Sequence, residues 1–155
     1  MAKINRQSLP KTTAFSNLQE VSKAASENND CVVKAVALAS RTSYEEAHKT
    51  CQRNGRKQGK GMHNAEMFRA FEESGVTLER VFSSDFISKY PGNHKELKSV
   101  TTHHPDRFNK VWADGNRYLF HCKGHVAYVE GGVCHDWTRG RSLRVVVIYR
   151  IVDPA

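Results

Sequence analysis

The sequence predicts an α+β protein, with helices filling its N-terminal half and strands its C-terminal half. Apolar residues recur at helical spacing in segments that end before Gly75. From Arg117 onward, β-branched and aromatic residues gather in short runs separated by glycine turns. Helices followed by strands, without alternation, belong to an architecture that segregates the two.

At 155 residues the chain fits one domain able to enclose a core without metals or cross-links. A hydrophobic content of 39% and a charged content of 26% are those of a folded globular protein. No apolar run approaches the roughly 20 residues that span a bilayer. Met1 to Arg6 carries no apolar signal stretch, so a cytosolic protein is expected. In that setting Cys31, Cys51, Cys122 and Cys134 stay reduced. The net charge of +8 attracts nucleic acid or acidic proteins through a sequence-independent field, which by itself defines no function.

Residues 1 to 16 mix basic and small polar residues without periodicity and are expected to form a flexible basic leader before a single domain over 17–155. Leu18 to Ala25 predicts a short helical turn. Asn28-Asn29-Asp30 then offers side chains suited to accept from the first amides of a helix running from Cys31 to Ser40. That helix is apolar almost all round, so it should be central, with Lys34 its exposed exception. Ser43-Tyr44-Glu45-Glu46 has capping-box spacing, and the helix it opens runs to Asn54-Gly55. The basic, glycine-rich stretch from Arg53 to Gly61 reads as a mobile surface loop. It could hold phosphates, though it lacks the interleaved aromatic residues of a single-strand binder.

His63-Asn64 open a third helix, Ala65 to Ser74, with Met67, Phe68 and Phe71 on one face. Val76 to Phe82 is a strand. A brief helix is expected before Pro91-Gly92, and another from His104-Pro105 toward Asp114-Gly115. Four strands follow: Arg117 to Cys122, His125 to Glu130, Val133 to Trp137 and Leu143 to Val152. Gly131-Gly132 turns the middle two into a hairpin.

One constellation carries chemistry. A sulfur at a helix N-terminus meets unpaired amide hydrogens and the positive end of the helix dipole, where a thiolate is best stabilised. A cysteine nucleophile also needs a base, a group to hold that base, and donors for the oxyanion. Cys31 fits the nucleophile, His125 the acid/base and Asp136 the orienting carboxylate. Asn29 or Asn28, with the Cys31 amide, fits the oxyanion site. Around the Gly-Gly turn, residues whose numbers sum to roughly 263 face each other, which brings Asp136 near Ala127 and within reach of His125. Alternation puts His125 on the strand face of Ala127 and Val129, taken as the face toward the central helix. His135 is a rival base, but it should point the other way. Cys122, His125, Cys134 and His135 gather on one hairpin without the usual zinc spacing, so no metal or cofactor is expected.

The Asn-Asp-Cys-Val-Val start at residues 29–33 and the Gly-His-Val motif at 124–126 resemble those of papain-like cysteine peptidases. The likeness is closest to a compact branch typified by bacteriocin-leader peptidases and small phage-encoded relatives, and covers residues 28 to 152 in order. It implies helices packed on an antiparallel sheet, a thiol hydrolase cleaving a peptide or isopeptide bond, and the host cytoplasm if the protein is phage-encoded. Family members commonly place a glutamine six residues before the nucleophile. Here Ala25 holds that place, and Gln19 lies twelve residues upstream. A catalytically inactive scaffold that binds host protein or nucleic acid through its basic surface is the second expectation.

Overall fold

The computed structural model describes residues 11–81, 99–101, 112–139 and 142–152. Four helices come first: α1 (Thr13–Ala24), α2 (Cys31–Ser40), α3 (Tyr44–Arg53) and α4 (Asn64–Glu73). Strands β1 (Thr77–Val81), β2 (Ser99–Thr101), β3 (Arg117–Cys122), β4 (His125–Glu130), β5 (Val133–His135) and β6 (Ser142–Val152) follow. Every strand pairing is antiparallel, in the order β1-β6-β3-β4-β5, and β2 pairs with the beginning of β6. The α+β expectation therefore holds. The helices expected near Pro91 and His104 fall outside the described residues. Among the described residues, no helix is long and apolar enough to cross a membrane.

The first helix corrects the expected leader and short turn. Thr12 caps it by accepting from the Phe15 amide at 3.3 Å, so residues 13–16 are already helical. Phe15, Gln19 and Ser22 are spaced to share one face, and Phe15 and Ser22 are buried. In α3 the expected cap is present, with Ser43 Oγ accepting from the Glu46 amide at 3.1 Å. Asn54 and Gly55 end that helix, Gly55 at a φ of 108°.

The sheet separates two cores. On one face Leu119, Val126, Tyr128 and Ile151 pack with Val32, Val33 and Val36 of α2 and with Met67 and Phe71 of α4. On the other, Tyr118, Phe120, Ala127, Val129 and Ile148 surround Trp112, whose ring meets Tyr118 and Phe120 edge-on. Complete burial of a valine such as Val33 contributes roughly 1.5–3 kcal/mol.

Strand alternation thus sends Ala127 and Val129 into the second core, away from α2, which corrects the expected facing. His125 instead stands at the first residue of β4, where the sheet ends. The β4–β5 register pairs Tyr128 with His135, Val129 with Cys134 and Glu130 with Val133, in agreement with the hairpin arithmetic. Gly131 and Gly132 both have positive φ, 60° and 72°, as a two-residue turn of the required hand demands. The last strand of the hairpin stops at His135 and not at Trp137, because the Asp136 carboxylate folds the chain into a turn. Its Oδ2 accepts from Thr138 N–H at 3.2 Å and from Thr138 Oγ1 at 2.5 Å.

Candidate active site

Cys31 is the first residue of α2 and is half-buried, whereas Cys51, Cys122 and Cys134 are buried. Burial pushes the Cys51 thiol up to about 12 and the Cys122 thiol up to about 11, and raises Cys134 further still. Cys31 is the one sulfur of the four that opens on solvent.

Across from it, His125 Nε2 lies 2.6 Å from Asp136 Oδ2. The Cys31 side chain lies close enough to this imidazole to act on its charge, and both residues line one cleft. Burial alone would depress the imidazole pKa. The bond to Asp136, its charge and the neighbouring Cys31 outweigh burial and push it up to about 10. The three residues named from sequence for nucleophile, base and orienting acid are therefore brought into one line. Trp137 lies beside this line, its ring tilted against the imidazole at 5.4 Å between centroids. His135 pairs with Tyr128 and shares its face, the one toward α2, which corrects the expected facing; it bonds Thr12 Oγ1 at 2.9 Å and takes no part in this line.

The line opens into a cleft of about 850 Å³. Phe15 and Gln19 of α1, Asn28 to Cys31, Met62, Met67, His121 and Trp137 are among its walls.

Asp30 occupies the N-cap position of α2 without capping it through its side chain, a correction to the cap expected from Asn28-Asn29-Asp30. Its Oδ2 accepts from Ser22 Oγ at 2.6 Å and from the Tyr44 hydroxyl at 2.7 Å, and its Oδ1 pairs with Lys34 Nζ at 3.0 Å. Burial opposes ionisation here, but these bonds outweigh it and hold the carboxyl below its ordinary range. The leading amides of α2 consequently receive no side-chain oxygen from the cap residue and remain available at the cleft.

Asn29, an expected oxyanion donor, does line the cleft but turns its amide elsewhere. Nδ2 donates to Gly59 O at 3.0 Å and lies 3.4 Å from Asn28 Oδ1, with Asn29 held at a φ of 50°. Both of its amide hydrogens are thereby engaged. Gln19 is differently placed. Its Oε1 accepts from Lys34 Nζ at 2.5 Å, and among the described residues its Nε2 group has no protein acceptor. Lys34 itself is buried at 9% exposure, the reverse of the exposed exception expected from the helix pattern.

The loop after α3 is also tighter than its composition implies. Arg56 is buried and donates to both Glu27 oxygens, at 2.6 and 3.1 Å, and to Asn28 O at 3.0 Å. Glu27 further accepts from Gly59 N at 2.9 Å and pairs with His48 Nε2 at 2.6 Å. The Arg56 bond leads these effects, and against burial they hold the Glu27 carboxyl at about 2. A loop expected to be mobile surface is thus clamped to the segment that leads into Cys31.

Sequence reading left Trp137, His121, Met62 and Met67 out of the site. The lone lysine in an apolar helix was the one available signal for Lys34, since a charge there is tolerated only with buried partners. No protein-family model, curated protein or solved structure matches the chain.

Proposed function

We propose that the protein is a papain-like thiol hydrolase that cleaves a peptide or isopeptide bond. The observation that carries this reading is the juxtaposition of Cys31, at a helix N-terminus in an open cleft, with His125, which is itself bonded to Asp136.

In this reading the Cys31 thiolate attacks the carbonyl carbon while His125 carries the proton. A carbon–sulfur bond forms and the carbonyl oxygen takes the negative charge. The Cys31 N–H and the Gln19 Nε2 group stabilise that oxygen. As the tetrahedral species collapses, His125 gives its proton to the departing amine and a thioester remains. Water then attacks with His125 as base, releasing the acid and restoring the thiol. Asp136 keeps the imidazole oriented throughout and stabilises its charged form.

The test is alkylation by iodoacetamide, mapped by mass spectrometry, together with turnover of N-acetylglycine p-nitrophenyl ester. Cys31 should react roughly tenfold or more faster than the other three cysteines. His125→Ala should slow that labelling near neutral pH, and Cys31→Ala should abolish ester turnover. Labelling of Cys31 that is indifferent to His125→Ala, with no ester turnover by the wild type, would refute the reading.

A further inference from the structure

The only cation within the apolar helix α2 is buried beside the cleft, one turn beyond the nucleophile. Lys34 Nζ donates to Asp30 Oδ1 at 3.0 Å and to Gln19 Oε1 at 2.5 Å, and sits 5.3 Å from the centre of the Phe15 ring. It therefore joins the cleft-lining face of α1 to the start of α2. Asp30 is itself fixed by Ser22 and Tyr44, so the ammonium has little freedom to move.

An ammonium group has hydrogen-bond donors and no acceptor. A carboxamide placed against it can present only its oxygen, since the reverse orientation would set two donors face to face. The Lys34 contact thus decides which way the Gln19 amide lies and turns its NH2 group away from Nζ. Cys31 and Lys34 are three residues apart on one helix and so share a face. Gln19 and Cys31 line the same cleft.

We propose that Lys34 is a positioning residue, which locks the Gln19 carboxamide with its NH2 hydrogens presented to the cleft where the oxyanion forms. This rests on the hydrolase reading given above and adds to it the device that holds a glutamine located on α1, well upstream of the nucleophile. It also accounts for a charge buried in an otherwise apolar helix.

The experiment compares two reactions of the same sulfur. Acylation by N-acetylglycine p-nitrophenyl ester forms a carbon–sulfur bond, breaks the carbon–oxygen bond and expels p-nitrophenolate, passing through an oxyanion. Alkylation by iodoacetamide displaces iodide at a saturated carbon and forms none. Lys34→Met and Gln19→Ala should each slow acylation by about 10- to 100-fold. Both should leave alkylation within about threefold of wild type, and the double variant should be no slower than Gln19→Ala alone.

Should Lys34→Met fail to fold by circular dichroism, Lys34→Gln is the second variant. Its amide can present either an oxygen or a nitrogen to Gln19, so acylation should fall to a rate between wild type and Gln19→Ala. Equal slowing of both reactions by the Lys34 variants would overturn the proposal, as would full acylation in Lys34→Gln or a further loss in the double variant. Absence of acylation in the wild type would instead sink the hydrolase reading, and this inference with it. Normal wild-type acylation that Gln19→Ala slows but the Lys34 variants do not would remove only the role of Lys34.

Discussion

His125 and Asp136 are eleven residues apart in the chain, and their side chains meet at 2.6 Å across the open end of a hairpin. The same Asp136 oxygen accepts two bonds from Thr138, so the turn that ends the hairpin also aims the carboxylate. Imidazole orientation and turn conformation are consequently set together. Asp136→Ala should lower ester turnover by about 10²- to 10⁴-fold, the range attributable to positioned acid–base catalysis. Steady-state kinetics checks the loss. An NMR titration should show the His125 pKa falling from about 10 toward its ordinary value as the bond and charge of Asp136 disappear.

The same elevation fixes a pH dependence. His125 titrates at 6.5 when unperturbed and at about 10 in the fold, so the folded protein holds this proton more tightly. The resulting stabilisation is complete below about 6.5 and is lost as pH rises through about 10. Thermal melts of wild type and His125→Gln, compared from pH 6 to pH 10.5, should show the wild-type advantage shrinking over that interval. Peptide cleavage should decline on the alkaline side near 10, where the leaving amine loses its acid. Alkylation of Cys31 should not decline there.

Opposite signs apply to the clamp behind the cleft. Glu27 is held at about 2 against an ordinary 4.5, so its contribution is present above 4.5 and lost as pH falls toward 2. Glu27→Ala leaves the buried Arg56 guanidinium without its carboxylate and should cost about 3–5 kcal/mol, measured by urea unfolding at neutral pH. Limited proteolysis should then cut between Gly55 and Gly61 faster than in the wild type, where Arg56 and Gly59 tie the stretch to Glu27.

Trp137 is 46% exposed yet lies against the His125 ring. It excludes water from one side of the imidazole–carboxylate pair, and such a bond is electrostatically stronger when it is drier. Trp137→Ala should reduce ester turnover by about tenfold while shifting the melting temperature little, as expected for a half-exposed side chain.

The hairpin and the three aligned residues were legible because short-range rules fixed them. Two glycines set the turn, the turn set the register, and the register carried Asp136 to His125. Ser43 announced its helix in the same way. The direction in which β4 faces was not legible, because both sides of this strand are buried and alternation between two apolar environments marks neither as the inside. Lys34 and Arg56 were misread for a related reason. Polarity along the chain indicates exposure only until a partner is supplied, and Gln19 lies 15 residues from Lys34 while Glu27 lies 29 from Arg56. The start of α1 was carried by the Thr12 cap and the Phe15, Gln19 and Ser22 stripe, which the basic composition around them obscured.

A single accessible sulfur among four has a bearing on how this molecule ages. Peroxide or an electrophile arriving from solvent meets Cys31 first, while the buried thiols stay sheltered within the packed layers. Oxidation at this position would therefore run ahead of unfolding, leaving an intact shell around a modified sulfur that a small reducing thiol can restore so long as oxidation has stopped at the sulfenic stage.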